Sequence, residues 1–311
     1  MLKLLWAACG ALTVPRASLR GLAGSGLLFA SGAMAVTGAA TPISAANAAI
    51  AAKATSPSNA ASASCEAKSP AHRTALVELY TSQGCSSCPP ADRWLSALPQ
   101  RFSFDQAIPL SLHVGYWDYI GWKDPFARRE FNDRQRLLAQ WNDSRSVYTP
   151  GVFVQTAESR QWPNASGMAS AIRAINTQAA AVQLSLKAQV QPGGSIAVTA
   201  SSTPALANAP AQVLQDLQVV LALAQSGIKT AVKAGENKGE QLTNDHVVRE
   251  WSAPQAAGRA GAASSASVAT VQWPWPAGAA PSQLAVVAFV QKAGGGSPLQ
   301  AVRLALDNCV R

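Results

Sequence analysis

Two cysteines three residues apart, at a change in hydrophobic pattern, constrain this chain more than anything else in it. Residues 76–81, Leu-Val-Glu-Leu-Tyr-Thr, read as a strand, and Gly84 breaks it. Residues 89–98 read as a helix with Trp94, Leu95 and Leu98 on one face. Pro89 and Pro90 are tolerable only in its first turn, where the backbone N–H groups are spare. Cys85 and Cys88 therefore fall at a strand-to-helix junction, where unpaired amides and the helix dipole stabilise a thiolate. This predicts Cys85 as the exposed, attacking thiol and Cys88, one turn deeper, as the buried resolving one. A static disulfide or half of a metal site are the alternatives. Ser86 and Ser87 bring no charge, so the motif alone does not set a redox poise.

Further along, residues 108–114 read as a second strand. Asp124 and Pro125 supply an N-cap and a first-turn proline for a helix running to Trp141, which buries Phe126, Leu138 and Trp141. Residues 151–154 form a third strand, entered through Tyr148-Thr149-Pro150, and a fourth is expected near 158–162. Residues 167–180 read as a closing helix with Met168, Ile172 and Ile175 apolar. The order β-α-β-α-β-β-α is thioredoxin topology, with the first two strands parallel because a helix crosses between them. Such a domain places a cis proline opposite the cysteines. Pro150 fits that role, with Thr149 leaving its backbone open to a substrate peptide; an ordinary trans proline is the alternative.

The loop leaving the second strand should lie beside the cysteines, at the carboxyl ends of the strands. It carries His113, Tyr116, Trp117, Tyr119 and Trp122. Its aromatic residues read either as a docking wall or as packing for the loop itself. His113 reads as a group tuning Cys85 or as a structural histidine. Glu78, seven residues before Cys85, is either a buried carboxylate under the disulfide, able to accept a proton, or a solvent-facing one.

From residue 181 the period changes to two. Val182, Leu184, Leu186, Ala188 and Val190 alternate with polar residues, Pro192-Gly193-Gly194 turns the chain, and Ile196, Val198 and Ala200 alternate again. Strand-like runs follow at 217–223, 268–275, 284–290 and 299–306. The expected architecture is an α/β thioredoxin-like domain over 73–180 followed by a β-rich, sandwich-like C-terminal domain over 181–311.

The N-terminus bears on the compartment. Lys3, Arg16 and Arg20 precede any acidic residue, the first of which is Glu66. The small apolar run 21–36 is broken by Gly24, Gly26 and Gly32, which makes it a poor permanent span. Ala46-Asn47-Ala48 fits the small-x-small cleavage rule. Residues 1–48 thus read as a signal peptide cut near Ala48, with an uncleaved anchor or a loose tail as alternatives. Residues 49–72 read as a flexible lead-in, and the mature protein is expected in the periplasm or secreted, with no permanent membrane span. Much of the 48% hydrophobic content is alanine, so it does not argue for a membrane protein. Losing the leader lowers the formal charge from +9 to +6. With no dense Lys/Arg run, nucleic acid is not a partner this sequence points to. Four cysteines remain, and Cys65 and Cys309 are the pair left over for a structural disulfide; free or intermolecular thiols are the alternative.

The stretch Val77-Glu78-Leu79-Tyr80-Thr81-Ser82-Gln83-Gly84-Cys85-Ser86-Ser87-Cys88-Pro89-Pro90-Ala91-Asp92 resembles the signature of an uncharacterised bacterial secreted family with a thioredoxin-like fold, domain-of-unknown-function family 1223. Residues 113–125, Arg134-Gln135, Tyr148 to Gly151, Gly235-Glu236-Asn237-Lys238-Gly239 and His246-Val247-Val248-Arg249 match its pattern too. A low-complexity insert at 256–267 departs from it. The resemblance implies the fold and export and names no substrate.

The leading functional expectation is an exported thiol–disulfide oxidoreductase acting on protein or small-molecule thiols and disulfides, with no cofactor. Cys85 attacks, Cys88 resolves, and Pro150 with Thr149 docks the substrate, alongside His113, Tyr116, Trp117 and Trp122. Two readings compete with it. One is a periplasmic copper(I)-binding protein using Cys85, Cys88 and His113, since soft thiolates suit that ion. The other is a non-catalytic binding module in which the cysteine pair is a staple.

Overall fold

Strand β2 (Ala75–Thr81) is buried along its whole length on both faces, and the rest of the chain is arranged around it. The structure, a computed structural model, describes residues 63–205, 216–256 and 267–310. The expected leader, its cleavage site near Ala48, the first part of the lead-in and most of the 256–267 insert lie outside the described residues. After β1 (Ala63–Lys68) and β2 come α1 (Pro89–Ala97), β3 (Ala107–His113), α2 (Arg129–Trp141), β4 (Gly151–Val154), β5 (Ala157–Glu158) and α3 (Ala165–Asn176). Ten strands follow: β6 (Val182–Gln191), β7 (Ser195–Pro204), β8 (Leu217–Gln225), β9 (Ile228–Ala231), β10 (Gln241–Asn244), β11 (Val247–Trp251), β12 (Gln255–Ala256), β13 (Ser267–Pro274), β14 (Leu284–Lys292) and β15 (Gln300–Ala305). The fold is mixed α/β and rich in sheet.

Among the described residues, nine strands form one sheet in the order β15-β14-β8-β11-β3-β2-β4-β5, with β12 attached to β8. Strands β2 and β3 are parallel, as a helical crossover requires, and β4 is antiparallel to β2. The sheet does not stop at residue 180: β11 joins β3 in parallel and β8 in antiparallel, so strands from both halves of the chain share one ladder. A second sheet, β1-β6-β7-β13, and the hairpin β9-β10 complete the described strands.

Parity along β2 decides what each side chain meets. Ala75, Val77 and Leu79 pack with Ala91, Leu95 and Leu98 of the α1 segment and with Met168 and Ile172 of α3. Leu76 and Tyr80 face the other way, against Phe131 and Leu138 of α2. Helix α1 opens on two prolines and has no side-chain cap. Burial of Leu95 and Leu98, each contributing roughly 1.5–3 kcal/mol, is what holds it down. Strand β8 shows the same logic: Leu217, Val219, Leu221 and Leu223 meet β6 and β7, while Val220, Ala222 and Ala224 meet the α2 side. A strand buried on both faces reads as a continuous apolar run, as it does here.

Several expectations change. The lead-in is not loose throughout, because Ala63–Lys68 pairs antiparallel with β6 from Ala63↔Val190 to Lys68↔Ser185. Alternating burial in β1 gives it an inner face, which the Ala/Ser-rich composition concealed. Cys65 on β1 is bonded to Cys309, just beyond β15, across a separation of 244 residues. The chain-entropy account assigns about 5 kcal/mol to so long a closed loop. Asp124 does not cap α2, which starts at Arg129 after an extended Arg128; its carboxylate is engaged elsewhere, as described below. Trp141 is not buried but 36% exposed. It lies against Gly295, at φ +104, where even a methyl group would overlap the indole.

Candidate functional site

Cys85 and Cys88 are disulfide-bonded, with Cα atoms 5.5 Å apart. The turn after β2 is tied by Cys85 N donating to Ser82 O (3.1 Å) and Gly84 N to Ser82 Oγ (3.1 Å). Cys88, not Cys85, occupies the N-cap of α1, and its carbonyl accepts from Ala91 N and Asp92 N. Cys85 was expected to be exposed; instead both cysteines are fully buried, while Ser86 and Ser87 between them are exposed. The physical reason is that neighbouring segments close around Cys85. Its sulfur lies 3.9 Å from Thr149 O and 3.3 Å from Ser87 Oγ. Its carbonyl, like that of Gln83, accepts from Asn237 Nδ2 at 2.9 Å.

The Thr149–Pro150 peptide is cis and stands against the disulfide through Thr149. Trp117 Nε1 donates to Thr149 Oγ1 at 2.7 Å. Gln135 of α2 accepts from the Tyr116 hydroxyl (3.2 Å) and donates to Tyr148 O (2.7 Å), which steadies the proline loop from behind. Trp122 Nε1 donates to Gln83 Oε1, and Gln83 Nε2 in turn donates to Thr230 and Asn244 of the β9–β10 hairpin. Trp117 and Trp122 are thus gathered around the pair, while Tyr116 acts one step back. Tyr119 points away, 81% exposed.

His113 does not line a substrate surface. It is fully buried, with Nδ1 2.8 Å from Asp124 Oδ2. The same carboxylate oxygen accepts from Gln83 N (2.8 Å), and Oδ1 accepts from Phe126 N (2.9 Å), which occupies the group expected to cap α2. Burial pulls His113 toward neutrality, but Asp124 outweighs it and the net direction is up. Burial likewise works against the Asp124 carboxylate, and His113 with the two amides brings it down on balance. The copper(I) reading needs His113 gathered with the two cysteines as a third ligand. Nδ1 is committed to Asp124, and among the described residues no three His, Cys, Asp or Glu side chains gather to hold a metal.

Glu78 also differs from its expected role. It is buried, but on the α2 face, where Arg134 Nε and Nη2 each donate to it at 2.7 Å and the Tyr80 hydroxyl donates at 2.8 Å. The carboxylate on the α1 face is Asp92, four residues after Cys88. It is 7% exposed, its Oδ1 has no hydrogen-bond partner, and burial pushes its pKa up to about 6. It faces Thr81 and His113, which are paired across β2 and β3 and project to that same side. His113 Nε2 is likewise without a partner. A carboxyl poised near neutrality, four residues along the chain from Cys88, can hold and release a proton. The i,i+4 spacing of Cys88 and Asp92 was a legible signal for this group. Nothing in the sequence placed Glu236 or Asn237 here.

The fold and site define a sheet-rich α/β protein with a buried, disulfide-bonded cysteine pair between a central strand and its first helix. The chain belongs to the family described as protein of unknown function (DUF1223), whose sequence pattern matches residues 76–291. It is similar in fold to a protein from Agrobacterium tumefaciens known from its X-ray crystal structure, with 24% identity and a TM-score of 0.52 over 76% of this chain and 96% of that one. It is also similar in fold to HBP35 of Porphyromonas gingivalis, with 14% identity and a TM-score of 0.55 over 77% of each chain. No curated protein matches the chain.

Proposed function

We propose that this protein is an exported thiol–disulfide oxidoreductase, built as a thioredoxin-like unit over 73–180 extended by a β-rich, sandwich-like unit over 181–311. The observation that carries the reading is the Cys85–Cys88 disulfide at the β2–α1 junction, with Thr149 O, ahead of the cis proline, 3.9 Å from the Cys85 sulfur. Export agrees with two disulfides in one chain, which persist in oxidising compartments.

In the forward direction a substrate thiolate attacks Cys85 Sγ, the Cys85–Cys88 bond breaks, and Cys88 leaves as a thiolate. Asp92 gives that thiolate its proton. A second substrate thiolate then attacks the substrate sulfur of the mixed disulfide and releases Cys85 as a thiolate, which takes a proton from water, so two thiols become one disulfide and the pair becomes a dithiol. In reverse, Asp92 takes the Cys88 proton and Cys88 resolves a mixed disulfide at Cys85. Because the sulfurs are buried under exposed serines, exchange passes through a local opening of the Thr149 and Asn237 contacts.

The test is Cys88→Ser, which removes the resolving thiol. Mixed disulfides at Cys85 should accumulate with protein and small thiols and vanish in the double Cys85→Ser/Cys88→Ser variant, as read by diagonal gels and intact mass. A wild-type pair that exchanges with no thiol, together with a Cys88→Ser variant that traps none, would leave the cysteines as a structural staple.

A further inference from the structure

The loop between β9 and β10 carries Gly235-Glu236-Asn237-Lys238-Gly239 and is anchored at the cysteine pair from 150 residues away. Asn237 is buried and ties the Gln83 and Cys85 carbonyls. Glu236 is exposed, and one of its oxygens, Oε2, accepts from both the Ser86 amide and the Ser86 hydroxyl at 2.8 Å. Those two bonds, the amide first, hold its carboxyl below the usual range, so it is ionised at neutral pH. Gly235, at φ +75, allows the approach: a Cβ there would stand 3.1 Å from Trp122 Cβ.

Hydrogen bonds, not a close ion pair, hold the carboxylate in place. None of the ion pairs among the described residues includes Glu236. Lys233, Lys238 and Glu240 are the other charged residues of the loop, and Asp92, His113 and Asp124 are buried. A fixed carboxylate thus sits on the residue next to Cys85. It engages the first amide after that cysteine, a donor of the kind that lowers a thiol's pKa at a helix N-terminus.

We propose that Glu236 is a specificity-determining residue for chemistry at Cys85, disfavouring anionic thiols in favour of neutral or cationic ones. The proposal rests on the oxidoreductase reading for its purpose. The second half of the chain would then choose which thiols reach the reactive cysteine of the first.

Two measurements on the full chain test it. In the first, the disulfide is reduced by glutathione, which carries net negative charge, and by cysteamine, which carries a positive amine. Two thiols are oxidised to one disulfide while Cys85 and Cys88 take up two electrons and two protons. Glu236→Gln, which keeps an acceptor for Ser86 without the charge, should lower the cysteamine-to-glutathione rate ratio three- to tenfold. In 1 M NaCl the wild type should approach the variant, because screening shortens the reach of the charge. In the second, the protein is reduced with a phosphine, and alkylation of Cys85 by neutral iodoacetamide is compared with anionic iodoacetate by peptide mapping. The same substitution should narrow that preference three- to tenfold. An unchanged preference, or both rates rising in proportion, would overturn the proposal and leave the loop as a cover. The alkylation readout needs no exchange activity. A shifted preference in a protein that exchanges with no thiol would therefore sink the oxidoreductase reading while the charge selection stood.

Discussion

Glu78 and Asp92 flank the disulfide in sequence, one seven residues before Cys85 and the other four after Cys88, and both are buried. They are otherwise opposites. Glu78 accepts three charge-assisted or hydroxyl hydrogen bonds from Arg134 and Tyr80, and Arg134 also stacks on Trp251 and Phe289 at 5.4 and 5.3 Å. Asp92 keeps an oxygen with no partner. The sheet separates them: Glu78 shares the parity of Leu76 and Tyr80 and meets α2, whereas Asp92 lies on α1, on the face of Thr81 and His113. A buried carboxylate with a full set of donors is part of the scaffold. One without them holds its proton and can trade it.

The largest expected effect breaks the scaffold side. Arg134→Met leaves Glu78 buried and unpaired and should cost about 3–5 kcal/mol in urea unfolding. The double change Glu78→Gln/Arg134→Met should recover much of that loss. A double variant as unstable as the single would mean that the loss comes from packing against Trp251 rather than from the stranded charge.

The next effect sharpens the other side and has the opposite sign. Asp92 has its pKa pushed up to about 6 in the folded chain from 3.8, so the folded state binds the proton more tightly than the unfolded state does. Stability from this group is therefore full below pH 4 and is lost as pH rises through about 6. Asp92→Asn removes the penalty and should stabilise the protein by up to about 3 kcal/mol at pH 8 and by almost nothing near pH 4. The same variant should slow thiol exchange at neutral pH by about 100-fold, the scale of a lost acid–base group. A variant destabilised equally at both pH values would show that Asp92 is an ordinary core residue.

Smaller still is Tyr80→Phe. It removes one donor to Glu78 and leaves the Arg134 fork in place, so a loss of about 1–2 kcal/mol is expected. Its exchange rate should match the wild type, since Tyr80 lies on the α2 face; a rate change as large as that of Asp92→Asn would mean that the two faces are not separate.

Much of this was readable from local pattern. The period of two in β6 and β7, the apolar run of β8 and the β2–Cys85–Cys88–α1 junction each arise from contacts between near neighbours or from the repeat of a single element. The Cys65–Cys309 bridge spans 244 residues and arises from no local pattern; counting cysteines offered it as the pair left over, with free or intermolecular thiols as the alternative. Other features were misread because their cause was distant. Asp124 has the chemistry of a helix cap, yet Gln83 and His113 claim its carboxylate. The segment around Cys65 has the composition of a linker, yet β6 offers it an edge to pair with.

The sequence by itself determined which two cysteines stand close enough to bond at the strand-to-helix junction, because spacing and residue type set that. It also determined that Glu78 and Asp92 lie near the pair in the chain. Only the tertiary structure decided which of the two carboxylates is free, because that depends on the face each meets and on Arg134, 56 residues from Glu78. It alone brought Glu236 to Ser86, since hydrogen bonds reach across about 3 Å of space and take no account of the 150 residues of chain between their partners.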